Sequence, residues 1–66
     1  MQHWALTRDR LQATVTRLDQ HRTTVADERK LWEQCGVTVR GRTKEQFIRN
    51  LGLLVRANAE GKPLPT

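Results

Sequence analysis

Five apolar residues, Trp4, Leu11, Leu18, Val25 and Trp32, recur at intervals of seven along the first half of the chain. That spacing keeps them on one line of a helix packed in coiled-coil fashion. The companion lines are poorer. Arg8, Val15, Arg22 and Arg29 include one apolar residue, and Thr7, Thr14, His21 and Glu28 include none. A seam this narrow suits a helical hairpin or an antiparallel pair better than a parallel zipper. Neither Gly nor Pro precedes Gly36, so the pattern predicts one long helix. Thr23 and Thr24 supply the alternative, because Thr favours helix N-caps and Asp27 and Glu28 then fall in a first turn. A break near His21–Thr24 gives helices over 5–21 and 24–35.

Gly36 is expected to end the first helical region, as a residue that tolerates positive φ. Val37-Thr38-Val39-Arg40 alternates apolar and polar, which fits a short strand or an extended loop. Arg40-Gly41-Arg42 follows as a flexible basic turn. Thr43-Lys44-Glu45-Gln46 has the capping-box form, and the last helix starts there. Its apolar stripe is Phe47, Ile48, Leu51, Leu54 and Val55, one helical face. Gly61 ends it, and the prolines at 63 and 65 prevent continuation. The predicted architecture is all-α: a long helix, continuous or interrupted, and a second amphipathic helix folded back as a hairpin. Residues 1–61 form one small domain, and 62–66 a flexible tail.

Size adds an expectation about assembly. The chain has 66 residues, and below roughly 70–80 residues a single core seldom suffices without disulfides, metal or another subunit. One cysteine, Cys35, cannot build a disulfide framework and points to a reducing, cytoplasmic setting. His3, His21 and Cys35 match no zinc spacing, so neither metal nor other cofactor is expected. The remaining route is self-association, with Trp4, Leu11, Leu18, Val25 and Trp32 as the interface of a homodimer. In that reading both tryptophans pack rather than stack on bases, Cys35 is buried at a helix end, and the two histidines lie on the surface. No run of 18 apolar residues is present to span a bilayer, and the first ten residues do not resemble a secretory signal.

Charge is unevenly placed. Twelve Lys and Arg against seven Asp and Glu give +5. Residues 1–35 carry only +1 of this and residues 36–66 carry +4, so the excess belongs to the turn and the last helix. Nine of the cations are Arg, whose planar fork suits phosphates and base edges better than a Lys point charge. Arg40-Gly41-Arg42 resembles the core of an AT-hook, which lays Arg in a narrow minor groove; Val39 and Thr43 stand where that motif has its flanking Pro and Lys. A helix-turn-helix is excluded, because the connection from Gly36 to Arg42 exceeds its usual turn and would require Arg42 and Glu45 to be buried.

Catalysis lacks support, since Cys35 has only His21 as a candidate base and a chain this short hardly encloses a pocket. The expected function is therefore that of a small, non-catalytic DNA-binding or RNA-binding protein, regulatory or accessory. Arg40, Arg42, Lys44, Arg49 and Arg56 are its candidate phosphate contacts, with DNA favoured. The competing reading is a protein-binding adaptor or inhibitor with an acidic partner. Leu53 favours that reading, because it lies off the apolar stripe between Arg49 and Arg56.

Overall fold

The computed structural model describes residues 2–64. Met1, Pro65 and Thr66 lie outside the described residues, so the expected tail falls within them only as far as Leu64. Three helices are formed: α1 (Arg8–Asp19), α2 (Val25–Gln34) and α3 (Lys44–Ala59). The described residues contain no strand. The first helical region is interrupted, so the continuous helix is replaced by the alternative, with both pieces shorter than 5–21 and 24–35.

All three helices begin and end by one local rule. Thr7, Thr24 and Thr43 are the N-caps, each in extended backbone and each accepting a hydrogen bond from an N–H three residues on. Thr24 with Asp27 and Thr43 with Gln46 close reciprocal capping boxes. At the other end, two N–H groups turn back onto carbonyls that the helix leaves unpaired. His21 donates to Leu18 O and Arg22 to Arg17 O; Gly36 to Glu33 O and Val37 to Trp32 O; Gly61 to Asn58 O and Lys62 to Ala57 O. This closure needs a left-handed residue at its pivot. Gly36 and Gly61 supply it at φ 83° and 69°, and His21 adopts it at φ 56°.

The core is built from every segment. Leu18 of α1, Trp32 of α2 and Phe47, Leu51, Leu54 and Val55 of α3 are buried together with Ala5 and Leu6 from the N-terminal segment and Val37 and Val39 from the α2–α3 connection. Leu11, Val25, Cys35, Ile48 and Leu64 pack against them. α1 lies against α3. The N-terminal segment is tied to α3 by Gln2, whose Nε2 donates to Ala59 O at 3.3 Å, and above all by Asn58. Asn58 Nδ2 donates to the carbonyls of His3 and Leu6, and its Oδ1 accepts from the His3 N–H at 2.6 Å.

The seam of sevens is thus divided by the fold. Leu18 and Trp32 are buried within one chain, Leu11 and Val25 pack against its core, and Trp4 is 65% exposed. The break sets α2 against α1, so Leu18 and Trp32, which one helix would have aligned for a partner, are buried within the chain while Trp4 is left exposed.

What joins α1 to α2 is polar. Glu28 is fully buried, and both of its carboxylate oxygens are saturated. Thr14 Oγ1 and Arg17 Nη2 donate to Oε1 at 3.0 and 2.8 Å, while Arg17 Nε and Thr23 Oγ1 donate to Oε2 at 2.8 and 2.7 Å. Trp32 Nε1 completes the network by donating to Thr14 Oγ1 at 3.0 Å. Burial alone would push the Glu28 carboxyl up; the hydrogen bonds from Arg17, Thr23 and Thr14 outweigh it and hold the group below its ordinary range. Among the described residues no buried side-chain polar atom lacks a partner.

Candidate nucleic-acid interface

The connection between α2 and α3 carries two of the candidate cations, and its shape is fixed by side chains that grip its carbonyls. Asn50 Nδ2, from α3, donates to Arg40 O at 2.7 Å. Arg29, from α2, donates through Nε to Val39 O at 3.4 Å and through Nη2 to Gly41 O. Gln46 Oε1 accepts from the Arg42 N–H at 3.1 Å. Val37 and Val39 point into the core, which leaves Thr38 and Arg40 outside.

Gly41 is not a flexible link. Its φ is 134°, and a Cβ there would stand 2.6 Å from the Phe47 backbone nitrogen. The turn is pressed against the start of α3, so Arg40-Gly41-Arg42 cannot peel away into a minor groove as an extended tripeptide. The likeness to an AT-hook therefore ends at composition. The two Arg side chains are instead displayed on a clamped loop.

The five candidate cations fall into two groups. Arg40, Arg42 and Arg49 are exposed, and among the described residues none has a carboxylate within ion-pair distance. Lys44 is half-buried and bonds Asp19 of α1 at 3.2 Å. Arg56 reaches Glu60 one turn on at 3.8 Å, and Lys62 shares that carboxylate at 3.7 Å. The structure thus leaves three of the five, Arg40, Arg42 and Arg49, without an ion-pair partner, although the exposed Glu45 stands in the first turn of α3, and places Lys44 and Arg56 in ion pairs.

Beside this cluster lies an open groove of about 510 Å³ between the connection and α3. Val37, Thr38 and Arg40 line one side, with Asn50, Leu53 and Leu54 on the other, and Leu64 closes its end of the lining. Leu53 is exposed, as its place between Arg49 and Arg56 requires. A smaller space of about 230 Å³ between α1 and α2 is lined by Arg10, Arg17, Leu31, Trp32 and Cys35.

Several residues that matter here escaped the sequence patterns. Arg29 and Asn50 shape the loop, although neither belongs to an apolar stripe. Asn58 was readable in principle, since it continues the α3 stripe from Leu51, Leu54 and Val55 as a polar residue on a buried face. His3 is half-buried and bonded rather than free on the surface: its Nδ1 accepts from the Ala5 N–H at 3.1 Å. Cys35 is half-buried, with Arg10 Nη1 donating to its Sγ at 3.7 Å.

Among the described residues, no group of three or more His, Cys, Asp or Glu comes together as a metal site, and no helix is long and apolar enough to cross a membrane. No family model, curated protein or solved structure matches the chain.

Proposed function

We propose that this is a small, non-catalytic nucleic-acid-binding protein of regulatory or accessory type, acting in the cytoplasm. The observation that carries the reading is the set of three exposed arginines without ion-pair partners, Arg40, Arg42 and Arg49, held on a clamped loop and the adjoining turns of α3. Guanidinium groups left without carboxylates and displayed on rigid backbone bind phosphates at low entropic cost. Lys44 and Arg56 take a lesser part, since each must first give up an ion pair.

The test is a titration of labelled duplex DNA, single strands and RNA at several salt concentrations. Binding should weaken steeply with salt, by about −0.9 in the log–log slope for each phosphate neutralised on duplex DNA. The double variant Arg40→Ala, Arg42→Ala should flatten that slope by about two and leave helix content intact, because the loop is held through backbone carbonyls rather than these side chains. Failure of micromolar protein to bind any nucleic acid in low salt overturns the reading.

The second reading, a protein-binding adaptor, draws on the exposed Leu53 beside the groove and on Arg40 as a contact for an acidic partner. Pairing of two copies belongs to the same proposal. In this fold it would draw on the exposed Leu31 and Leu53 rather than on Leu18 and Trp32, and the stoichiometry of the titration reads it.

A further inference from the structure

Trp4 is the feature that neither the core nor the arginine cluster accounts for. It is 65% exposed although its neighbours Ala5 and Leu6 are almost wholly buried. The segment that carries it is fixed by three hydrogen bonds to Asn58 and by the Leu6 N–H donating to His3 O. The indole is therefore displayed on rigid backbone, and binding to it costs little ordering. The Arg10 guanidinium lies 4.7 Å from the centre of the indole, within cation–π distance, and donates through Nη1 to Cys35 Sγ. The His3 imidazole also stacks against the indole, at 6.2 Å between ring centres and 23° between planes, and 65% of the tryptophan still faces water, so the ring is a platform braced by a cation and an imidazole with surface left for a base.

Its position gives it a ligand. His3, next to Trp4, sets its Nε2 3.4 Å from where a Cβ on Gly36 would stand, and Gly36 opens the groove that leads to Arg40. The extended run from Gly36 to Arg40 spans roughly 13 Å at 3.3–3.6 Å per residue. A platform beside Gly36 and arginines without ion-pair partners from Arg40 onward are thus separated by the length of a few nucleotides of single strand. We infer that the protein takes single-stranded nucleic acid, with one base stacked on Trp4 and the following phosphates met by Arg40 and its neighbours. A duplex cannot use this platform, because its bases are already paired and stacked. A second copy does not fit the same surface, since its like-charged arginines would face one another. This inference rests on the nucleic-acid reading and names the form of the ligand.

The experiment compares Trp4→Ala and Trp4→Phe with the unaltered protein, using a short oligo-deoxythymidine strand and a mixed-sequence duplex. Because Trp4 is exposed and Trp32 buried, strand binding should quench the solvent-facing part of the tryptophan emission, and Trp4→Ala should abolish that quench. Trp4→Ala should weaken strand binding about tenfold, leave duplex binding and the salt slope unchanged, and be largely rescued by Phe, which keeps a stacking face. Strand binding indifferent to Trp4→Ala, or strand and duplex weakened alike, overturns the inference while the nucleic-acid reading stands. Absence of all nucleic-acid binding by the unaltered protein overturns both and returns Trp4 to the adaptor reading as a protein contact.

Discussion

The turn between α1 and α2 and the connection between α2 and α3 each lead the chain into its next helix beside the same core, with different materials. The first turn, residues 20–24, contributes no large apolar side chain. It is secured by a buried carboxylate, Glu28, to which α1 sends Thr14 and Arg17 and the turn itself sends Thr23. The second, residues 35–43, sinks Val37 and Val39 into the core and has its carbonyls gripped by Arg29 and Asn50. A joint made of one saturated charge is specific but fragile, because every donor matters. A joint made of buried valines and several backbone contacts spreads its stability. It can therefore display unpaired arginines on its outer side without depending on them.

Breaking the polar joint should have the largest effect. Arg17→Met keeps the aliphatic bulk but leaves Glu28 buried without its charged partner; with about a third of the Arg17 side chain in water and the Thr14 and Thr23 bonds retained, the cost is about 2–3 kcal/mol. For a chain of this size that is a large share of total stability. The loss should depend on pH. Glu28 has its folded pKa lowered, so its contribution is present above the unfolded value and disappears as pH falls through the folded one. The unaltered protein should therefore lose stability as pH drops below about 4, and the gap to Arg17→Met should shrink there. Asp27, held low by its bonds with Thr24, adds a pH dependence of the same sign to both proteins and cancels in the comparison. Urea melts at neutral and acid pH measure it; a gap that stays constant with pH would assign the Arg17 effect to packing alone.

Breaking the second joint should cost less stability and more binding. Gly41→Ala forces a Cβ toward the Phe47 nitrogen in a backbone region that side chains avoid. Strain of this kind costs about 1–3 kcal/mol, relieved by moving the loop off α3. The expected outcome is a folded protein with modestly lowered melting temperature whose Arg40 and Arg42 are displaced with the loop from the start of α3. Affinity for nucleic acid should then fall while the charge count is unchanged. A Gly41→Ala variant that melts lower yet binds normally would show that loop geometry is irrelevant to the cations it carries.

How far the sequence disclosed this follows from the same contrast. The third helix was legible because its signals agree: a Thr cap with Gln46 three residues on, a continuous apolar face, and Gly61 at its end. The polar joint was not legible. Thr14 and Glu28 lie on a line of sevens that looks too polar to be buried, and only the break between α1 and α2 makes the two meet. Trp4 failed for the opposite reason, since its place in the apolar seam points to burial and the Thr7 cap starts the helix beyond it. Of the five candidate cations, Lys44 and Arg56 could not be set apart by charge counting, because the acids that hold them belong to α1 and to the end of α3. The break itself stayed undecided for want of a glycine.

That missing glycine gives the smallest and most local of the expected effects. The closures after α1 and α2 use the same two backbone hydrogen bonds, with His21 at the pivot of one and Gly36 at the pivot of the other. A side chain in the left-handed region costs roughly 1–2 kcal/mol, whereas glycine costs roughly 0.5–1 kcal/mol more entropy from the unfolded chain. His21 is exposed and is not among the groups that bond Glu28. His21→Gly should therefore stabilise the protein, by about 0.5 kcal/mol, and raise its melting temperature by about 2–4 °C. Thermal denaturation followed by far-ultraviolet circular dichroism reads this directly. A fall instead of a rise would mean that the histidine ring contributes to the turn through contacts that outweigh its backbone strain, and would separate the two closures in energy although they coincide in geometry.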